Sequence, residues 1–471
     1  MWSRLYSQFT GDNTPTLDLQ QEQNVHTNSS SPNHLVILVN GLFGSRYNWD
    51  YISEVLHEHL DTTTTLIHVS KANEFTATYA GIDACGSALA AEIRNIITAS
   101  PSLQRISFIG HSMGGLISRY AAGELYNTEN SSIASLKPCH FISMATPHLG
   151  CEPEETSPAQ IPLVSWLQLP FGLDNLVNTI SPTISSTLYR RSGGQFFLSD
   201  SDNDQLPLLY RLSQDCPLEN RYFWSALASF ETRTAYANST GDYFVGWANS
   251  SIRDIHELPR FLPGTKGRGV VREDPLEMAW SPESRPSVEK CGDAVGLDPG
   301  HGHVATSVND ILDASTAQDL VSKEEEIKND APTLHSIPNA LNRTSTIDST
   351  STINIDGFNA GVGIPEPAVN IAEPRGTRKS KSEYIKASLT SLRQLQWRRI
   401  DCCFAGAAMP LLAHQHMQVQ RKWINYEGMA TAKHLALQLA AMEEILKRTR
   451  SGDAAGAGAA PSGCGEGQRI K

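Results

Sequence analysis

Residues His34 to Val39 read His-Leu-Val-Ile-Leu-Val, an apolar run with no alternation, which predicts a strand buried on both faces of a parallel sheet. Trp49, Ile52, Val55, Leu56 and Leu60 then recur at helical spacing. Thr64 to Val69 predicts a second strand, and Ile82 to Ile97 a helix with Leu89, Ile93, Ile96 and Ile97 broadly on one side. Ile106 to Ile109 predicts a short buried strand, followed by a helix over Leu116 to Tyr126. Further strands are expected at Cys139 to Ala145, Arg233 to Asn238 and within Trp397 to Phe404. A last helix runs from about Glu427 to Lys447, with Leu435, Leu439, Met442 and Leu446 on one face. Strands alternating with helices specify an α/β fold, a mainly parallel sheet with helices on both faces.

The pattern fails in four places. Residues 1–33 are polar and turn-rich and read as a loosely held arm. From 151 to 210 it loosens, and the proline-broken apolar stretch Ile161 to Leu173 reads either as ordinary core helices or as a cap over a site. Residues 292–382 are rich in Ser, Thr, Asn, Asp, Gly and Pro, with few aromatics. Such a segment offers too little apolar surface to offset its ordering entropy, so a disordered insertion is expected. It divides the core into 34–291 and 383–450, and the Gly- and Ala-rich residues after Ser451 read as a flexible tail.

Composition narrows the function. A net charge of −12, with no long basic tract besides Arg375 to Lys381, argues against nucleic acid as a partner. The eight cysteines are scattered without a C-x-x-C pair, which favours reduced thiols in a cytosol-like compartment over disulfides or zinc. No apolar run is long enough for a transmembrane helix, and the first residues lack the apolar core of a secretory signal. His301 and His303 flank a glycine without carboxylate or thiol partners, so neither a metal nor a cofactor is expected.

The chemistry concentrates between the strand ending at Ile109 and the helix from Leu116. Gly110-His111-Ser112-Met113-Gly114 is a G-x-S-x-G turn, with glycines where a side chain would crowd a strand reversing into a helix. Such a turn lifts the Ser112 hydroxyl clear of the sheet and aims free helix N–H groups at a developing oxyanion. In folds built on this turn the chain order is Ser, then Asp or Glu, then His. Asp242 follows the strand ending at Asn238, and His414 and His416 lie between the strand near 397–404 and the last helix. The insertion accounts for the long interval between acid and base. Ser112 is then the nucleophile, His414 its base, Asp242 the acid that orients the imidazole, and the backbone N–H groups of Met113 and Leu42 the oxyanion donors. His416 rivals His414; in an extended loop the two would point the same way, so direction cannot choose between them. Asp254 is the fallback acid, in what reads as a surface helix or turn. Asp83 reads as a helix-positioning residue, His111 as a packing or hydrogen-bonding group, and His148 as a loop-shaping one.

Several stretches together resemble the putative serine esterase family (DUF676) of lipase-like α/β-hydrolases, especially its plant and algal members. They are Asn40-Gly41-Leu42-Phe43-Gly44 with Trp49, Gly81-Ile82-Asp83, the Ser112 turn with Gly115, Ala145-Thr146-Pro147-His148-Leu149-Gly150, Tyr236-Ala237-Asn238 leading to Gly241-Asp242, and Ala413-His414 with Gln418-Val419. The likeness covers roughly 34–260 and 395–447. It implies the α/β-hydrolase fold and a serine ester hydrolase acting on lipid or other acyl esters, with Asp242 as acid and His414 as base. Family members open the oxyanion loop with His-Gly, and here Asn40 replaces the histidine. A chain without a membrane anchor would meet lipid at an interface, with Trp166 and Phe171 in the 161–173 stretch at the mouth of its site. The competing class is a hydrolase fold kept as a lipid- or protein-binding module without turnover.

Overall fold

The computed structural model describes residues 31–151, 190–201, 205–260, 266–280 and 379–457. In chain order the main elements are β1 (His34–Val39), α1 (Asp50–His59), β2 (Thr65–Val69), α2 (Ile82–Ala99), β3 (Arg105–His111), α3 (Met113–Leu125), β4 (Lys137–Met144), β5 (Thr232–Thr240), β6 (Gly269–Glu273), α4 (Lys381–Leu392), β7 (Arg398–Cys403), α5 (Ala413–Gln418) and α6 (Met429–Ala457). Among the described residues seven strands form one sheet in the order β6-β7-β5-β4-β3-β1-β2. Every neighbouring pair is parallel except β6 on β7. This is the α/β-hydrolase arrangement.

The unbroken apolar run of β1 has a physical cause. Leu35 and Ile37 enter one core layer, packed by α2 and α3, while Val36 and Leu38 enter the other, packed by α1 and α6. A strand sandwiched between two helical layers has no wet face, so alternation disappears. Phe108 and Phe141 continue the first layer, and Ile109, Ile142 and Met144 the second.

Of the boundaries that differ from those the pattern predicts, three matter most. β5 runs on to Thr240, so Asp242 stands two residues past the strand. α6 continues to Ala457, beyond Ser451. Helix α4 begins at Lys381, within the last residues of the segment expected to be an insertion; Ser380 caps it, its hydroxyl accepting the Glu383 N–H while the Glu383 carboxylate accepts the Ser380 N–H at 2.6 Å. The rest of that segment, the stretch 161–173 and His301 and His303 lie outside the described residues. Among the described residues no helix is long and apolar enough to cross a membrane.

Because β1, β3, β4, β5 and β7 run parallel, their carboxyl ends share one edge of the sheet. The segments that follow them carry Asn40, Ser112, Ala145, Asp242 and, beyond Phe404, His414. Ligand sites of open α/β sheets form at this edge.

Candidate active site

Ser112 sits between β3 and α3 with φ 55° and ψ −127°, a backbone conformation that costs a side-chain-bearing residue about 1–3 kcal/mol. Its surroundings enforce the strain. The Ser112 N–H donates to the Met144 carbonyl at 2.8 Å. A Cβ on Gly114 would lie 2.0 Å from the Val39 carbonyl oxygen, and one on Gly110 would lie 2.5 Å from the Gly115 nitrogen. Only glycine allows α3 to begin this close to the end of β1.

The loop after β1 presses on the nucleophile from the other side, since a Cβ on Gly41 would stand 2.7 Å from that of Ser112. Asn40, where the sequence resemblance leads one to expect a histidine, is buried and donates its amide to the Asn73 carbonyl at 2.8 Å and the Gly41 carbonyl at 3.2 Å. The substitution therefore keeps the loop tied to the segment after β2. Neither the Met113 nor the Leu42 N–H is hydrogen-bonded to another described residue.

Asp242 is buried, with four donors on its two oxygens. Oδ1 accepts the N–H groups of Phe244 at 2.9 Å and Val245 at 3.0 Å; Oδ2 accepts the Asn238 amide and His414 Nδ1, each at 2.9 Å. Burial alone would raise the Asp242 pKa, but His414 and these donors outweigh it and hold the carboxyl below the usual range. A carboxylate accepts only, so the hydrogen of neutral His414 sits on Nδ1, leaving the lone pair on Nε2. The His414 ring is wedged between His111, 4.7 Å away between centroids, and Phe244, 5.2 Å away. His111 also donates from Nε2 to the His414 carbonyl at 2.9 Å, which ties the residue preceding Ser112 to the histidine segment. Burial and the neighbouring imidazole push the His111 pKa down to about 3, so this ring is neutral. Among the described residues no hydrogen bond joins the Ser112 hydroxyl to His414. Unliganded catalytic hydrogen bonds often tighten only with substrate.

The structure separates the rivals. His414 and His416 lie on the short helix α5 rather than in an extended loop, and two positions along a helix turn their side chains apart by about 200°. His416 Nε2 donates to the Met409 carbonyl at 2.9 Å, with its ring against Phe404. Asp254 accepts the His256 N–H at 3.0 Å as the cap of the turn Ile255–Glu257 and has no contact with either histidine. Asp83 binds Arg191 and accepts the Gln195 amide at 3.0 Å, while Gln195 Oε1 accepts the Ile82 N–H, so this group orients the start of α2. His148 is fully buried, accepting from Arg119 at Nδ1 (3.3 Å) and donating from Nε2 to Ser143 Oγ at 2.9 Å. Sequence reasoning missed Asn238 and Val245 as partners of the acid. The Tyr-Ala-Asn signal at Asn238 was visible, but nothing in sequence marks a backbone donor.

Residues 29–252 match the family model described as "Putative serine esterase (DUF676)". That match takes in Asn40, Ser112 and Asp242 and stops short of His414. The chain is 25% identical over 432 residues to "Putative lipase YDL109C" of Saccharomyces cerevisiae, covering 86% of this chain and 59% of that protein. To "Putative lipase ROG1" of the same yeast it is 29% identical over 241 residues, 50% of this chain and 31% of that protein. The chain thus spans between about a third and three fifths of the length of these relatives. Among solved structures it is similar to the RedJ thioesterase of Streptomyces coelicolor, at 15% identity and a TM-score of 0.27 over 48% of this chain and 76% of that one. The similarity is to a family of serine esterases and lipase-like hydrolases.

Proposed function

We propose, starting from that family match, that the protein is a serine carboxylic-ester hydrolase working through Ser112, His414 and Asp242. The observation that carries the reading is the Asp242–His414 hydrogen bond at 2.9 Å, built beside a serine held at φ 55° in a strand-to-helix turn. His414 Nε2 takes the Ser112 proton as Oγ attacks the ester carbonyl. Asp242 holds the imidazole tautomer and stabilises the imidazolium that forms. The Met113 and Leu42 N–H groups receive the oxyanion, each donor being worth about 3 kcal/mol of barrier. The alcohol leaves with the proton returned by His414, and water then opens the acyl-enzyme by the same steps in reverse.

The substrate class belongs to the same proposal: lipid or another acyl ester. Phe43 and Phe75, in edge contact 6.0 Å apart, are exposed beside the oxyanion loop, and Leu411 is exposed just before α5, so apolar surface rims the site. That rim supports action at a lipid surface, and the scattered cysteines support a reducing, cytosol-like compartment. Likeness to plant and algal members rests on the sequence motifs alone. A fluorophosphonate probe tests the reading: it labels the wild-type chain at Ser112 and leaves Ser112→Ala and His414→Ala unlabelled. Labelling of His414→Ala at the wild-type rate, with His416→Ala silent, would move the base to His416. No labelling of the folded wild-type chain would leave a hydrolase fold without turnover.

A further inference from the structure

On the face of β7 that carries Arg399 and Asp401, near the antiparallel edge of the sheet, a cleft of about 560 Å³ is lined by four arginines. None of its residues belongs to the Ser112 site. Arg253 follows the short helix Trp247–Ser251, Arg272 lies on β6, Arg393 ends α4, and Arg399 lies on β7. Most of the charge is matched. Asp401, fully buried, accepts Arg253 Nη1 at 2.6 Å and Trp247 Nε1 at 2.8 Å on one oxygen and Arg272 Nη1 at 3.1 Å on the other. Asp274 takes Arg272 Nη2 at 3.3 Å and the Arg399 backbone N–H at 3.1 Å, and Glu257 takes Arg393 at 2.6 Å.

Two guanidiniums are left with open capacity. Arg253 is only 6% exposed, and its buried Nη2 has no hydrogen-bond partner. Arg399 donates Nε to the Ser251 carbonyl at 3.0 Å and Nη2 to the Ile252 carbonyl at 3.3 Å, and its side chain pairs with no carboxylate among the described residues. Burial and the neighbouring Arg253 lower the Arg399 pKa against the pull of Asp274 and Glu257. Leaving such donors unpaired is costly, and a fork of N–H groups matches the oxygens of a phosphate better than water does. Glu277 also lines the cleft and would repel a bare anion, but could accept from a hydroxyl on a larger ligand.

We propose that this cleft binds the phosphate group of a small phosphate monoester, its oxygens on Arg253 Nη2 and Arg399. The cleft is larger than a bare anion needs, which favours an organic phosphate. A free metabolite and a phospholipid headgroup share this chemistry. Calorimetric titration of the full chain with glycerol 3-phosphate probes the first source, and co-sedimentation with phosphatidylcholine vesicles containing phosphatidic acid probes the second. Saturable binding in either arm, weakened about tenfold or more in Arg399→Lys with fluorophosphonate labelling unchanged, supports the site and identifies the source. Glu277→Gln, which leaves every ion pair above intact, should tighten the same binding severalfold and decides the matter if Arg399→Lys fails to fold. Absence of binding in both arms, or affinities unchanged in the folded variants, overturns the proposal.

Discussion

Asp242 shows how much one side chain can be asked to do. Its two oxygens accept from two backbone N–H groups, an amide and an imidazole, so no lone pair is left to choose another orientation. Asp242→Asn would present an N–H where His414 now donates, forcing the imidazole to the wrong tautomer. Steady-state hydrolysis of a short soluble ester should fall about 10⁴-fold in kcat with the fold retained. A drop below tenfold would mean that another group orients the base. His148 makes the opposite case. Burial and the Arg119 charge hold its pKa well below the ordinary value, and both ring nitrogens are engaged away from Ser112. His148→Gln should lower Tm while leaving kcat/KM within about tenfold of wild type, since only loop support is lost. A collapse of kcat at unchanged Tm would instead give it a direct part.

At the scale of elements, what sequence revealed depended on where the apolar positions went. Strands β1, β3 and β4 bury both faces, and announce themselves as an unbroken run in β1 and as apolar runs interrupted by Ser107 in β3 and by His140 and Ser143 in β4. Helix α4 does so less clearly, because its buried face mixes Tyr384 and Leu392 with serines: Ser391 Oγ donates to the Ser213 carbonyl at 2.6 Å, and Ser388 meets Ser213 at 3.3 Å. Serines at two of the inward positions dilute the apolar periodicity of that face. Strand β6 escaped for another reason, since Gly-Val-Val-Arg-Glu is a short half-wet edge with too little pattern to read. The Ser112 turn was legible down to its glycines, whereas α5 read as a loop and its two histidines could not be told apart. Two element-level tests follow. Gly114→Ala forces a methyl into the Val39 carbonyl and should cost about 3 kcal/mol by chemical denaturation, with probe labelling lost. An unchanged midpoint would mean that α3 can shift freely from β1. Phe43→Ser with Leu411→Ser removes exposed apolar surface beside the site, so hydrolysis of vesicle substrates should fall while a short soluble ester is spared. Equal loss on both would make these side chains structural.

For the whole molecule, the buried titratable groups at the two ends of the sheet make stability depend on pH in one direction, with Asp200, whose pKa burial raises to about 6, pulling the other way. At one end of the sheet Glu443 of α6 accepts His140 at 2.8 Å and Arg105 at 2.7 Å and lies 3.3 Å from His34 Nδ1, joining α6 to β1, β3 and β4. Burial would raise the Glu443 pKa, but these partners drive it far below the usual range. Burial lowers the His34 pKa against the pull of Glu443. At the other end stand His111, brought down to about 3, and Asp242, also lowered. A carboxylate with a depressed pKa stabilises the fold above its unfolded value and loses that contribution as pH falls through the folded one. A histidine buried neutral acts with the same sign: its unfolded form takes up a proton near pH 6.5 and its folded form does not. The fold should therefore be most stable above about pH 7 and weaken steadily below it, each such group steepening the fall by about 1.4 kcal/mol per pH unit within its window. Urea midpoints measured between about pH 8 and about pH 4 check this, a span that brackets the unfolded histidine value. His111→Gln keeps a donor for the His414 carbonyl but cannot titrate, so it should flatten the curve between about pH 6.5 and 3. A variant curve parallel to wild type would show that His111 is not held neutral in the folded protein, and would open the base beside it to a second charge.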